Sequence, residues 1–369
     1  MEIERIAQII GQNSKGGVES VVFNYYKFID KSKFQFDFFV QSNSPYEIPV
    51  DILKLGCNVI IIPPYKHLFA YIMSLNIFFK KGQYKIVHSN MSTISVFVLL
   101  AAKLANIPVR ISHNHVTAGK GRGEFFRNMI KYILRPFSKV FPTHLFACSE
   151  YAGRWMYGNK TFDKGKVTVI NNAIDISKFA YNENIRNSLR NDLNLNGKFV
   201  VGNVGRFMPQ KNHDFLIDIF YEVYKKDSDS VLLLIGEGEL KKRIKEKTAR
   251  LGMKNNVLFI GIKENVHEYY QVMDVFVLPS LYEGLGMVAV ESQVSGLPSV
   301  VSDKVPYEAK LDNFIDFISL KQKPAAWAEI ILSKRNFKRL YMSKKECVKR
   351  FSIAEESKKL EKIYEQMIS

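Results

Sequence analysis

Two carboxylates on one loop–helix unit carry the sharpest chemical signal in this chain. The run Pro279-Ser-Leu-Tyr-Glu283-Gly-Leu-Gly-Met-Val-Ala-Val-Glu291-Ser sets Glu283 in a loop after an apolar strand pattern. Glu291 falls about one turn inside the helix that follows. Gly284 and Gly286 remove side chains from the helix entry, so backbone N–H groups at its positive end stay open to an anion. Carboxylates accept hydrogen bonds from sugar hydroxyls, and the amides around Leu285 and Met287 suit phosphate oxygens. A glutamate in a helix usually marks a solvated face. Here Ala289 and Val290 flank Glu291 and predict burial, and a buried carboxylate needs partners.

A second loop supplies the opposite charge. The strand pattern Phe199–Val204 runs into Gly205-Arg206-Phe-Met-Pro-Gln-Lys211-Asn-His, with a helix predicted from about Asp214. Arg206 offers a planar fork and Lys211 a point charge, a pair suited to a diphosphate at the mouth of a strand. Two solvated surface cations are the plainer reading. Near the N-terminus, Gly11-Gln-Asn-Ser-Lys-Gly16-Gly17 also links a strand to a helix, and first-turn amides there attract anions. It matches neither Gly-x-Gly-x-x-Gly nor a Walker loop, so a tight turn is equally consistent with it.

The elements that must position these loops alternate along the chain. Strands are predicted at Arg5–Ile10, Phe36–Val40, Asn58–Ile62, Ile86–His88, Val109–Ser112 and His144–Cys148. Helical periodicity fills Val18–Ile29, Leu68–Lys80, Thr93–Leu104 and Phe125–Leu134. The pattern restarts with strands Phe199–Val204, Val231–Ile235, Val257–Ile260, Val275–Leu278 and Ser299–Val301. Helices at Asp214–Tyr224, Leu240–Leu251, Val266–Met273 and Met287–Ser295 separate them. Such alternation predicts parallel sheets covered on both faces. The turn-prone Val169–Asp175 and the polar Asn182–Asn196 lie between the two series. The fold expected is α/β, with two Rossmann-like doubly wound domains facing a cleft. They span 1–174 and 175–352, the last ~45 residues read as all-helical, and a C-terminal helix of 353–369 packs back on the first domain. Ligands of such sheets bind beyond the carboxyl ends of the strands.

Composition narrows the class. With 369 residues, two domains are the natural prior. Three scattered cysteines exclude a disulfide framework or zinc cage and fit a reducing compartment. The opening residues carry Glu2 and Glu4 and do not read as a signal peptide, and Val96–Ala102 is far short of the ~20 apolar residues that span a bilayer. A cytoplasmic protein is expected. The net charge of +17 asks for a use. The segment Gly119–Lys139 mixes cations with Phe125, Phe126, Ile130, Ile133 and Leu134, a pattern suited to the anionic inner face of a membrane or to a core-packing helix with a basic side. Dispersed cations without a recognition motif argue against nucleic acid.

Glu283 followed by seven residues and Glu291 resembles the Glu-x7-Glu motif of retaining glycosyltransferases of the GT-B fold, particularly glycosyltransferase family 4. Other segments agree in order. Gly16-Gly17-Val-Glu19 is similar to the family's N-terminal Gly-Gly loop. Val169-Ile-Asn-Asn-Ala173-Ile-Asp175 resembles its interdomain signature, with Ala173 in place of the usual glycine. Gly205-Arg206 with Lys211 resembles its phosphate-binding loop, and Leu234–Glu239 its next strand and turn. The resemblance spans residue 1 to about 303.

The resemblance implies a role for each matched position. Arg206 and Lys211, beside Gly205, would neutralise the leaving diphosphate; Glu291 would hold the ribose and Glu283 the donor sugar. Backbone at Gly284, Leu285, Gly286 and Met287 would hold the sugar or distal phosphate. The loop Gly261–Val266, including Ile262, would hold the base, and Gly16 and Gly17 would line the phosphates. His113, expected to end the strand Val109–Ser112, matches the family's site histidine, with His115 as the alternative; a structural histidine in a polar loop remains open for either. The chain departs from many relatives after Asp303, where Lys304-Val-Pro-Tyr-Glu308 replaces a Gly-rich loop; this resembles polysaccharide-building members. Asp227-Ser-Asp229 matches the Asp-x-Asp of metal-dependent enzymes of another fold but reads as a solvated turn.

The expectation is therefore a retaining glycosyltransferase using a nucleoside diphosphate sugar, with UDP-sugar the expected donor and no obligatory metal or other cofactor. The acceptor expected is a glycan or polyprenyl-diphosphate-linked sugar, with peripheral contact to an anionic membrane. The resemblance implies front-face attack with the leaving phosphate taking the acceptor proton. A UDP-sugar epimerase of the same fold and a non-catalytic sugar-nucleotide- or glycan-binding subunit are the alternatives. A phosphorylase would need a cofactor-lysine motif that is absent.

Overall fold

A computed structural model describes residues 3–12, 17–45, 47–115, 125–342 and 345–368, and of residues 125–128 only the backbone. The chain divides into two compact units, one of residues up to Asp175 together with 350–369, the other essentially Ile176–Lys349.

Unit 1 is built on seven parallel strands: β1 (Glu4–Gly11), β2 (Phe34–Gln41), β3 (Asn58–Ile62), β4 (Ile86–Ser89), β5 (Val109–Asn114), β6 (His144–Ala147) and β7 (Val167–Val169). They lie in the order β3-β2-β1-β4-β5-β6-β7. Its helices are α1 (Gly17–Phe28), α2 (Val50–Leu53), α3 (Leu68–Gly82), α4 (Ser95–Leu104), α5 (Phe125–Leu134), α6 (Glu150–Tyr157) and α7 (Asn159–Asp163). Side chains alternate across a strand, so each strand feeds two cores. Ile6, Phe36, Phe38, Ile86 and Ile111 pack on one face with Val22 and Tyr26 of α1. Ala7, Ile9, Phe39 and Val87 pack on the other with Tyr71, Leu75 and Phe79 of α3 and Val98 and Leu99 of α4.

Unit 2 contains α8 (Ile176–Phe179), α9 (Glu183–Asp192), β8 (Val200–Val204), α10 (His213–Lys226), β9 (Val231–Ile235), α11 (Lys241–Arg250), β10 (Val257–Gly261), α12 (Val266–Val272), β11 (Val275–Leu278), α13 (Met287–Val294), β12 (Ser299–Ser302), β13 (Ile315–Ile318), α14 (Pro324–Ser333) and α15 (Glu346–Lys349). Its six strands run parallel in the order β10-β9-β8-β11-β12-β13. The four central strands, β8, β9, β11 and β12, are short, mostly apolar and buried on both faces, as the interior of a parallel sheet requires. Val201, Leu232, Leu234 and Val277 pack with Leu216 and Phe220 of α10 and the fully buried Trp327 of α14. The last helix, α16 (Ile353–Ile368), returns to unit 1 and places Ile353, Leu360 and Tyr364 in its core.

Each unit is thus a parallel-sheet α/β domain with a Rossmann-like strand order. Several local readings need correction. Strand β5 continues through His113 to Asn114, so His115, not His113, is the first residue past the strand. The stretch 182–196 contains α9 rather than a polar connection. Arg186 and Arg190 of that helix reach Asp274 at 2.5 and 3.2 Å, and the Asp274 carboxylate also accepts the Val200 N–H at 2.7 Å. That knot pins the starts of β8 and β11, which are paired through Val201 and Val275. The chain after residue 324 is not all-helical: between Lys334 and Met342 it holds no helix. Strands β7 (Val167-Thr-Val169) and β13 (Ile315-Asp-Phe-Ile318) were not predicted; each is short and has a polar residue inside its apolar run.

Candidate functional site

Strands β8 and β11 are where the chain reverses its direction of progress across the unit 2 sheet, and ligands of open α/β sheets bind beyond such a switch point. The loop after β8 carries Gly205 to Lys211; the loop after β11 carries Pro279 to Gly286. They are stitched together. Leu281 N–H donates to the Gln210 carbonyl at 2.8 Å, Gln210 Nε2 to the Tyr282 carbonyl at 3.0 Å and Asn212 Nδ2 to the Pro279 carbonyl at 3.1 Å.

This joinery brings Lys211 to Glu283, although 72 residues separate them. Lys211 Nζ lies 2.7 Å from Glu283 Oε1, and both side chains are largely buried, 14% and 7% exposed. Ser280 Oγ also donates to Oε1 at 2.6 Å, and Gln210 Nε2 to Oε2 at 3.3 Å. The Glu283 carboxylate is therefore held by three donors in a fixed orientation, which a partly desolvated anion requires. Gly205 matters by what it lacks, since a Cβ there would come within 3.1 Å of Lys211 Cδ and Cε. The Arg206 side chain is exposed and makes no hydrogen bond or ion pair among the described residues.

Gly286 caps α13 with φ +82°, a left-handed conformation that favours glycine. In the turn that follows, the Ala289 N–H bonds back to the Gly286 carbonyl at 2.8 Å, and the Met287 and Val288 amides precede any acceptor within the helix. Glu291, one turn in, is half-buried and accepts a 2.8 Å hydrogen bond from the buried Tyr270 hydroxyl. Burial pushes its carboxyl pKa up; the Tyr270 bond and the Lys211 charge pull it partly back. Lys211 thus acts on both glutamates. His213 stacks on Phe207 at 4.2 Å and is pushed down to about 4 by burial, with Lys211 adding to it.

The remaining unit 2 positions lie on the same edge of the sheet. Gly261, with φ +83°, ends β10; Ile262 is half exposed, and Val266 opens α12. The Gly261 carbonyl accepts the Gly236 N–H at 2.9 Å, and the Glu237 carbonyl accepts the Phe207 N–H at 2.9 Å, so the loops after β8, β9 and β10 adjoin in series. Asp227, of the Asp-x-Asp run, turns back to Ser230 and pairs with Arg335, while Asp229 pairs with Lys198 at 2.9 Å. Among the described residues no cluster of three His, Cys, Asp or Glu could hold a metal.

In unit 1, Gly16 and the start of the basic segment, Gly119–Glu124, lie outside the described residues. Gly17 opens α1 and is exposed. His113 and His115 are both buried, their rings 3.9 Å apart between centroids. They belong to a polar network that the sequence did not disclose. Gln8 Nε2 donates to Tyr364 Oη at 3.2 Å, and Tyr364 Oη lies 2.6 Å from His88 Nδ1. His88 Nε2 meets His113 Nδ1 at 3.0 Å, while His113 Nε2 has no hydrogen-bond partner among the described residues. His115 contacts Asn172 Oδ1 at 3.1 Å and Asn90 Oδ1 at 2.9 Å, and Asn90 Nδ2 donates to Gln8 Oε1 at 3.0 Å. Burial drives His88 down to about 3 and His115 to about 4, and His113 well below its ordinary value, with the neighbouring histidines adding. All three rings are neutral at pH 7. A cavity of about 10 Å³, room for about one water, adjoins these rings.

Sequence reasoning missed the second members of each contact: Ser280, Gln210 and Tyr270 around the glutamates, and His88, Asn90 and Tyr364 around the histidines. His88 closes a predicted strand and was the one visible hint.

Comparison with known proteins adds a family. The profile of Glycosyltransferase Family 4 matches residues 15–178, and that of glycosyl transferases group 1 matches residues 185–332. EpsF of Bacillus subtilis, named as a glycosyltransferase, is 32% identical over 333 residues, covering 89% of this chain and 87% of EpsF. An Escherichia coli enzyme, UDP-Gal:alpha-D-GlcNAc-diphosphoundecaprenol alpha-1,3-galactosyltransferase, is 27% identical over 78% of this chain and 76% of its own. In fold, the chain is similar to Anabaena HepE, solved in complex with UDP and glucose, with TM-score 0.79 and 17% identity over 98% of this chain and 99% of that one.

Proposed function

This chain belongs to the glycosyltransferases, with a Family 4 region followed by a group 1 region, and on that footing we propose that it is a retaining enzyme that moves a sugar from a UDP-linked donor to a hydroxyl of a lipid-linked glycan in surface polysaccharide synthesis. The observation that carries the reading is the grouping of Lys211, Glu283 and the α13 N-terminus at the unit 2 switch point, with Glu291 within electrostatic reach of Lys211. Relatives that use UDP-Gal on a diphosphoundecaprenol-linked sugar, or that bind UDP and glucose, support the choice of donor and acceptor.

Departure of UDP builds negative charge on the diphosphate. Lys211, the exposed Arg206 and the open amides of α13 stabilise that charge as it forms, with no metal required. Glu283, oriented by Ser280, Gln210 and Lys211, accepts hydrogen bonds from the sugar hydroxyls. Glu291, steadied by Tyr270, takes the ribose hydroxyls, and the Gly261–Val266 loop takes the base. The leaving phosphate accepts the acceptor proton as attack occurs on the same face. Work takes place at the cytoplasmic side of a membrane, to which the basic segment 119–139 contributes contact.

Arg206→Ala, Lys211→Ala and Glu283→Gln should each lower transfer by about 10²–10³ while circular dichroism stays native. Formation of a new glycosidic product from UDP-sugar and a polyprenyl-diphosphate-linked sugar is the readout. An acceptor-free change of the UDP-sugar would indicate an epimerase, and donor binding without turnover a non-catalytic subunit. Unchanged turnover in all three variants would remove the site assignment.

A further inference from the structure

The cations are less dispersed than their motifs suggest: the net positive charge and the exposed apolar side chains are both concentrated in one part of unit 1. Between residues 52 and 149 the sequence holds thirteen lysines and arginines but a single acid, Glu124. That stretch alone carries +12 of the +17 net charge. Of the 22 large hydrophobics that the described residues leave exposed, nineteen lie in unit 1 and eleven lie between Leu68 and Val140. Exposed apolar side chains gathered in one segment at that frequency point to a contact surface rather than ordinary scatter.

The two features coincide on one layer of helices. α3 packs on α4, α4 on the short 3-10 turn Arg135–Lys139, and that turn on α5; α3 and α4 cover the sheet face bearing Ala7 and Ile9. α3 turns Tyr71, Leu75 and Phe79 inward to this core. Its outer stripe, Phe69, Met73 and Ile77, is apolar at four-residue spacing and exposed, Phe69 at 81%. Lys66 precedes it and Lys80 and Lys81 end it; all three are exposed and make no ion pair among the described residues. α5 repeats the pattern with exposed Ile130 and Ile133, and neither helix holds an acid. Unit 2 manages its charges differently, with Arg243 and Lys247 of α11 answered by Asp214 and Asp218 of α10.

We infer that the α3–α4–α5 layer of unit 1 is a docking face for an anionic phospholipid bilayer, with Phe69, Met73 and Ile77 entering the headgroup boundary and Lys66, Lys80 and Lys81 pairing with lipid phosphates. A helix with an apolar stripe, flanking lysines and no acid is the interfacial type. A second copy of this chain is the rival occupant, but it would set two acid-free cationic faces against each other. Nucleic acid would leave the apolar stripe without a partner. The docking face extends the contact well beyond the 119–139 segment. It rests on the proposed reading only for what the bilayer supplies, namely a lipid-linked acceptor to unit 1.

Co-sedimentation of the full chain with vesicles tests it. Binding to vesicles of equal phosphatidylcholine and phosphatidylglycerol is expected, weakening with salt, with little binding to phosphatidylcholine alone. Lys66→Gln, Lys80→Gln and Lys81→Gln together should weaken binding by roughly fivefold per lysine. Phe69→Ser with Ile77→Ser, on the outer face and so neutral for folding, should lower it at least tenfold. Equal binding to neutral vesicles, less than threefold loss in both variants, or a dimer that Phe69→Ser dissociates would overturn the inference. UDP-induced thermal stabilisation is measured in parallel. Its absence from wild type would remove the donor-site reading while vesicle binding stood, and its persistence in variants that no longer bind vesicles separates the two surfaces.

Discussion

Lys211 is shared between two carboxylates that sit in different surroundings. Glu283 has three donors of its own, whereas Glu291 has the Tyr270 hydroxyl and a more distant share of the Lys211 charge. Burial raises the Glu291 carboxyl pKa above the ordinary carboxylate range, so ionising it costs the fold stability as pH rises through that raised value. The contribution is complete below the unfolded pKa of about 4.3 and lost above the folded one. Glu291→Gln should therefore raise Tm at pH 7.5, with the gain vanishing toward pH 4, while UDP-induced stabilisation shrinks. A variant that melts below wild type at pH 7.5 would contradict this. The residue types at the site were legible from local spacing. Their partners were not, because Tyr270 sits on α12, and Gln210, although next to Lys211, reaches Glu283 only where the loops after β8 and β11 come together.

At the scale of elements, α16 ties the histidine network to the sheet. Tyr364 joins His88 on β4 and Gln8 on β1 across a fully buried contact. Removing its hydroxyl leaves two buried polar groups without a partner, at about 1–3 kcal/mol each. Tyr364→Phe should lower Tm by several degrees at pH 7.5. Acid acts on the same place. His88, His113 and His115 bind protons in the unfolded chain below about 6.5 but resist them when folded. Stability is thus whole above pH 6.5 and lost as pH falls toward 4, by up to about 1.4 kcal/mol per pH unit for each ring. Thermal melts across that range check it; a flat profile would contradict neutral buried rings. The longer elements were readable because α1, α3 and α10 each repeat an apolar face over several turns. Strand β13 was not, because Asp316 interrupts the short apolar run Ile315–Ile318, and α9 was not, because its buried side is made of Arg186 and Arg190 rather than apolar residues.

At the scale of the molecule the two units differ in how the chain closes them. Among the described residues unit 2 is continuous and holds its own sheet and core, whereas unit 1 takes Ile353, Leu360 and Tyr364 from the far end of the sequence. Residues 176–349 expressed alone should fold and bind UDP, and residues 1–175 alone should fail to give a cooperative melt until α16 is supplied. Calorimetry and circular dichroism decide between this and the reverse order. The alternation of strand and helix, the glycine-bearing loops and the distribution of charge were all determined by the sequence itself, since each depends on neighbours within about a dozen residues. Which side chains meet was decided only by tertiary structure. Strand order places β8 beside β11 and returns α16 to β4, so Lys211 finds Glu283 and Tyr364 finds His88, 276 residues away. Hydrogen bonds and ion pairs act over a few ångströms in space, and separation along the chain carries no record of that distance.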